Sequence, residues 1–200
     1  MAELTITQFL SLDGVYQAPG GPGEDTSGGF SHGGWLAPFG DEAFMATMLD
    51  IFQRPAAFLL GKATYDIFAG YWPKVSDPNN PIATALNTLP KFVASRTIQP
   101  AAAAWTETTI VRDAAAEVPA IKEMLTARSG ALAGGELQVH GSGQLAQTLM
   151  KLGLIDEFRL LTFPIFLGSG KRFFGAGVMP GTLKLVSSKT TSRGVVIDVY

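Results

Sequence analysis

The chain has 200 residues, 46% hydrophobic and 16% charged, with a formal net charge of −2 and no cysteine. That is enough apolar material for one core, so a single domain over 1–200 is expected. Disulfides, thiolate zinc sites and a cysteine nucleophile are excluded, and the lack of any Lys or Arg block argues against nucleic-acid binding. Only His32 and His140 offer imidazole, so no metal centre is expected. Met1 leads directly into an alternating stretch, with no signal-peptide pattern and no run of about 18 apolar residues. The reading is a soluble, cytoplasmic protein with no membrane partner.

In chain order, residues 4–10 alternate as a strand, with Leu4 and Ile6 on one face and Thr5, Thr7 and Phe9 on the other. Asp13-Gly14 ends it as a turn. Residues 17–34 hold seven glycines and two prolines and little to pack. They read either as a loose insertion or as a lid over a substrate, with Phe30 and Trp35 able to dock its far end. A helix over 41–52 follows, with Asp41 and Glu42 at its positive end and Phe44, Met45, Met48, Leu49 and Phe52 as its core stripe. Residues 56–60 form a short buried strand, and Gly61-Lys62-Ala63-Thr64 opens a helix towards Tyr71. This is not a Walker loop, because Ala56 stands where the first glycine would be. A short helix over 82–86 ends before Pro90. Lys91 to Ala94 is a strand, with Ser95-Arg96-Thr97 at its carboxyl end. One or two strands fall within 105–111 and a helix over 119–127, with Ile121, Met124 and Leu125 inward. Gly134-Gly135 leads on to the next strand.

Residues 136–174 carry the clearest pattern. Leu137 and Val139 alternate in a strand, Gly141-Ser142-Gly143 breaks it, and Leu145, Ala146, Leu149 and Leu152 define a helical face. Gly153 marks the helix end. Residues 158–167 read as a strand covered on both sides. A turn-rich link over 175–181 follows, then two strands over 182–190 and 193–200 forming an antiparallel hairpin.

Three strand ends thus carry phosphate-suited groups: Gly61, Lys62 and Thr64; Ser95 and Arg96; and Gly141, Ser142 and Gly143. A glycine turn that opens a helix leaves free N–H groups at the positive end of its dipole. An Arg flanked by hydroxyls suits a phosphate monoester. Alternating strands and helices argue for an α/β sheet, whose ligands lie at the carboxyl ends of the strands. All three groups are therefore expected on one rim, and the set suits NADPH over NADH. Gly141 to Ala146 also fits G-x-G-x-x-A, but the motif comes too late for two Rossmann halves, and Asp156 and Glu157 precede the next strand instead of ending it.

The blocks SLDG (11–14), LLGKATYD (59–66), KFVASRT (91–97), HGSGQLAQTL (140–149), LIDEFRL (154–160) and FPIFLGSGKRFF (163–174) resemble the dihydrofolate reductase superfamily. More narrowly, they are similar to the reductase domain of bifunctional riboflavin-biosynthesis enzymes and their stand-alone bacterial relatives. The resemblance implies a three-layer α/β/α fold with a mainly parallel sheet, NADPH as hydride donor and a homodimer. It implies a cofactor clamp at Gly61, Lys62, Thr64, Ser95, Arg96, Gly141, Ser142, Gly143, Gln144 and Leu145. Lys62 stands where the family often has Arg, and Ser142 where folate reductases have the second glycine of a cis pair. No acid on the first helix is clearly aimed at a pterin, which argues against folate reduction.

The expected function is NADPH-dependent reduction of a small carbonyl or imine compound, with the ribosylaminopyrimidine of riboflavin synthesis as one candidate. Asp13 is the catalytic candidate, for substrate anchoring or proton supply; its other reading is a turn-forming Asp beside Gly14. The alternatives are an NADPH-binding sensor without turnover, a pterin or dihydrofolate reductase, and a Rossmann dehydrogenase.

Overall fold

The computed structural model describes residues 1–127, 135–175, 178 and 180–200. Gly134 and part of the 175–181 link lie outside them. Eight strands order as β4-β3-β2-β5-β1-β6-β8-β7. They are β1 (Leu4–Ser11), β2 (Pro55–Gly61), β3 (Lys91–Ala94), β4 (Thr108–Val111), β5 (Glu136–His140), β6 (Glu157–Phe163), β7 (Ser187–Thr190) and β8 (Val196–Val199). The helices are α1 (Glu42–Phe52), α2 (Lys62–Tyr71), α3 (Pro81–Thr88), α4 (Ala114–Thr126) and α5 (Gly143–Lys151). The architecture is the expected α/β class: a mainly parallel sheet with flanking helices and a C-terminal antiparallel hairpin. No helix among the described residues is long and apolar enough to cross a membrane.

Chain contacts divide into two compact units. The first comprises Met1–Ile6 and Met48–Glu157. Its parallel strands run in register, Gly61 beside Ala94 in β2/β3 and Ala94 beside Val111 in β3/β4, while Phe58 of β2 lies beside Gln138 of β5. Ala56 to Leu60 is wholly buried, as a central parallel strand requires. Leu86 of α3, Val118 and Leu125 of α4 and Leu149 of α5 are fully buried.

The second unit comprises Thr7–Thr47 and Phe158–Tyr200. Its core is aromatic: Phe163 is met by Trp35 at 5.3 Å, Phe9 and Phe39 at 5.8 Å and Phe44 at 5.9 Å between ring centroids. The 17–34 segment is not short of packing after all. Gln17 is buried and donates from Nε2 to the carbonyls of Asp25 and Ser27 at 3.1 and 3.0 Å, while its Oε1 accepts from Lys171 N–H. Trp35 donates to the Gln17 carbonyl, and Phe30 is buried.

Several expected core positions differ. Met45, Met124 and Leu152 are exposed, and Ile51 takes the inward place on α1. Helix α4 begins at Ala114 and contains Pro119. Strand β6 stops at Phe163 because Pro164, without an N–H, follows. Of the predicted 182–190 strand, Ser187–Thr190 forms the ladder with β8, and Val186 N–H adds one bond to the Val199 carbonyl at 2.8 Å.

Candidate cofactor site and an ionised aspartate

Among the described helices, α1, α3 and α4 open under a side-chain cap. Asp41 accepts from Phe44 N–H at 2.7 Å, Asn80 from Ala83 N–H at 3.1 Å and Asp113 from Ala115 N–H at 2.9 Å. Helices α2 and α5 have no side-chain cap. Their first N–H groups lie at the carboxyl ends of the neighbouring strands β2 and β5. These are the two glycine turns singled out from the sequence.

Ser142 occupies the cap position of α5, yet its hydroxyl points away from that helix. It accepts from Gly61 N–H at 2.9 Å and donates to Thr64 Oγ1 at 2.8 Å. Gly141 and Ser142 both have left-handed backbones, φ 63° and 62°, and the bond between them is trans. For Ser142 this conformation costs about 1–2 kcal/mol relative to a right-handed one. Strain of that kind persists where the surroundings over-determine it, and it clusters at binding sites. A side chain at Gly61 would crowd Ser142, since a Cβ there would lie 3.2 Å from its Oγ.

The other expected residues fall as follows. Lys62, in the first turn of α2, pairs through Nζ with Asp66, and both side chains are about half exposed. An exposed pair of this spacing is weak, about 0.3–0.5 kcal/mol, so the ammonium is easily recruited by a stronger anion. Gly143 and Leu145 are buried and Gln144 exposed at the start of α5. Ser95 and Arg96 follow β3, next to β2 in the sheet. Ser95 Oγ accepts from the N–H groups of Thr97 and Ile98 at 3.3 and 3.1 Å, which shapes the turn. Arg96 is exposed and makes no hydrogen bond or ion pair with the described residues. The three groups thus stand at the carboxyl ends of adjacent strands in the order β3, β2, β5. Hydrogen bonds join the second and third groups directly. Sequence reasoning missed Arg112, whose guanidinium donates to the carbonyls of Ser95 and Ile98 at 2.8 and 2.6 Å and braces the turn that bears Arg96. No spacing signal marks such a distant brace.

Asp13 belongs to the second unit. Burial alone would raise its pKa, but the Ser11 hydroxyl and the N–H groups of Leu167 and Gly168 outweigh that and hold it at about 2. Oδ1 accepts from Ser11 Oγ at 2.6 Å and Leu167 N at 3.1 Å, while Oδ2 accepts from Gly168 N at 3.0 Å and Arg172 Nη2 at 3.3 Å. Arg172 also donates to the Asp13 carbonyl. The geometry is that of a clamp between the 11–14 turn and the glycine turn at 167–170. Arg172 is the second brace that sequence reasoning missed. No group of His, Asp or Glu among the described residues could hold a metal.

The acids of α1 are equally clear. Glu42 is exposed, and Asp50 is exposed and paired with Arg54 at 2.5 Å. Neither provides a buried carboxylate for a pterin.

A mainly parallel sheet with ligand-suited helix ends on its carboxyl rim and an antiparallel C-terminal hairpin defines a dihydrofolate reductase-like protein. The family model of the RibD C-terminal domain matches residues 2–197, and the chain belongs to that family, the reductase part of riboflavin-pathway enzymes. An uncharacterized protein of Bacillus subtilis strain 168, YyaP, is 30% identical over 155 residues, 76% of each chain. Among solved structures, a Shewanella sp. PV-4 protein described as a riboflavin biosynthesis protein is similar with a TM-score of 0.69 at 20% identity, covering 100% of this chain and 98% of its own. A pyrimidine reductase-like protein from Corynebacterium diphtheriae gives 0.61 at 14% identity over 100% and 91%. The Thermotoga maritima diaminohydroxyphosphoribosylaminopyrimidine deaminase/5-amino-6-(5-phosphoribosylamino)uracil reductase gives 0.60 at 13% over 99% and 56%.

Proposed function

We propose that the chain is an NADPH-dependent reductase of a small carbonyl or imine compound, acting as one domain in the cytoplasm. The first candidate substrate is 5-amino-6-(5-phosphoribosylamino)uracil, which the Thermotoga relative's name carries. The observation that supports this reading best is the pair of uncapped helix starts joined through Ser142. NADPH, when bound, supplies the hydride. The chain's residues bind and orient it. The N–H groups at the starts of α2 and α5, from Lys62 to Thr64 and from Gly143 to Leu145, suit the pyrophosphate. Arg96, on the turn shaped by Ser95 and braced by Arg112, suits the 2′-phosphate. Lys62, a point charge where the family often has a fork, adds long-range attraction with less directional grip. Gln144 stands exposed at the same helix start. Asp13 acts by fixing the 167–170 turn and not by proton transfer.

A homodimer belongs to this proposal. Residues 180–190 are all exposed and include Leu183, Leu185 and Val186, and β7 ends the strand order. A row of apolar side chains beside an edge strand invites pairing with another chain. Sedimentation equilibrium is expected to show a dimer, and Leu183→Asp with Leu185→Asp a monomer that still melts cooperatively. A wild-type monomer would refute this part.

Turnover is tested by following the loss of NADPH absorbance with pyrimidine, pterin and quinonoid acceptors. Oxidation with the ribosylaminopyrimidine is expected. The lack of a buried carboxylate on α1, where Glu42 and Asp50 are exposed, favours a second reading, a binding protein without turnover; saturable uptake with no oxidation of any acceptor would establish that instead.

A further inference from the structure

We propose that Ser142 is a positioning residue that makes the two glycine turns a single anion seat. This rests on the nucleotide-binding reading above. The hydroxyl has one proton and two acceptor sites, and the proton and one acceptor site are used inside the chain. Gly61 N–H enters it at 2.9 Å, and its own proton leaves to Thr64 Oγ1 at 2.8 Å. Ser142 Oγ therefore has no proton left for a phosphate. The Thr64 hydroxyl, accepting from Ser142, keeps its own hydrogen, which no described residue takes. The result is a directed chain from Gly61 N–H through Ser142 to Thr64, ending on a donor beside the first turn of α2. Hydrogen bonds in such a chain polarise one another. Thr64 is thereby set as a donor towards an anionic oxygen seated beside the two helix starts that Ser142 joins.

Geometry adds a second argument. A cap serine ordinarily accepts from the second or third N–H of its own helix. Here that bond is absent, and the backbone is held left-handed while the hydroxyl reaches across to the neighbouring turn. The arrangement leaves α5 open and fixes its start against that of α2. Gly61 completes the fit, since a Cβ there would meet Ser142 Cβ at 3.3 Å. Ser142 thus works on the ligand through Gly61 and Thr64, and it couples what each helix start contributes.

The test is a double-mutant cycle on the full chain, with NADPH affinity measured by calorimetric titration for Ser142→Ala, Thr64→Val and the pair. Each single change is expected to weaken binding about tenfold. The pair is expected to weaken it little further, because removing Ser142 already leaves Thr64 unaligned. Ser142→Gly relieves the left-handed backbone but also lacks the hydroxyl, and should match the alanine variant. If wild type binds and the pair loses about a hundredfold, the sites act independently and the inference fails. Wild-type affinity in Ser142→Gly would equally overturn it. If wild type shows no uptake, the nucleotide-binding reading itself has failed, and this inference with it.

Discussion

Lys91 is buried completely, which is costly for an ammonium. It is tolerated because Nζ donates to the carbonyls of Leu86 and Leu89 at 2.8 and 2.7 Å and lies 4.6 Å from the Trp105 ring centroid. Burial pushes its pKa down to about 8, against the opposing pull of Glu107. Between that value and the ordinary one near 10.4, the unfolded chain binds the extra proton, so this group makes stability rise with pH there. Urea unfolding at pH 7.5 and 10 should show that rise in wild type and a smaller one in Lys91→Met. An identical rise in both would mean the ammonium titrates normally. Asp13 contributes with the same sign, but in the acid range. Its pKa of about 2 lies below the ordinary carboxylate value, so its stabilisation is present above about pH 4 and is lost as pH falls towards 2. Asp13→Asn should lower stability at pH 7, flatten the acid limb and reduce kcat while leaving the shape of the pH–rate profile intact. Loss of one limb of that profile would restore Asp13 as the proton source.

At the scale of elements, Asp41 closes α1 and also ties it to the hairpin turn. It accepts from Ser192 Oγ at 2.7 Å and Arg193 N–H at 3.0 Å, and Arg193 Nη1 reaches the Pro38 carbonyl at 2.6 Å. The Phe44 N–H first, then Ser192, hold its pKa at about 2. Asp41→Ala should therefore lower the melting temperature by a few degrees near neutrality, with the difference shrinking as pH falls below the carboxylate range; an unchanged melting curve at pH 7 would refute the cap. The helical role of Asp41 was legible in the sequence because acids favour helix starts, whereas its link to Ser192 was not, being 151 residues distant. Strands β3 and β5 were legible to the residue, since buried parallel strands are short apolar runs between clear breakers. The start of α4 was hidden because Ala114 to Ala116 has no periodicity and Pro119 looks like a first-turn residue. Met45 and Leu152 were misplaced because an apolar side chain at a stripe's edge can face water at little cost.

For the whole molecule, the order of motifs carried the fold, and the strand order places the three groups on neighbouring strand ends. What sequence could not show is how motifs mate. The 11–14 turn means little alone, yet Asp13 bolts it to the turn 154 residues away at Leu167. Likewise Ser142 is only the middle of a glycine turn in the sequence until its hydroxyl is seen to serve Gly61 and Thr64. The family it belongs to gives the reductase class, while the proposed preference for NADPH rests on Arg96. Calorimetric titration of the chain with NADPH and NADH, repeated on Arg96→Ala, measures that choice directly. Saturable uptake of one NADPH per chain is expected, at least about tenfold tighter than NADH, with the preference lost and NADH affinity unchanged in the variant. Absence of saturable NADPH uptake, or equal affinity for both carriers, would contradict it.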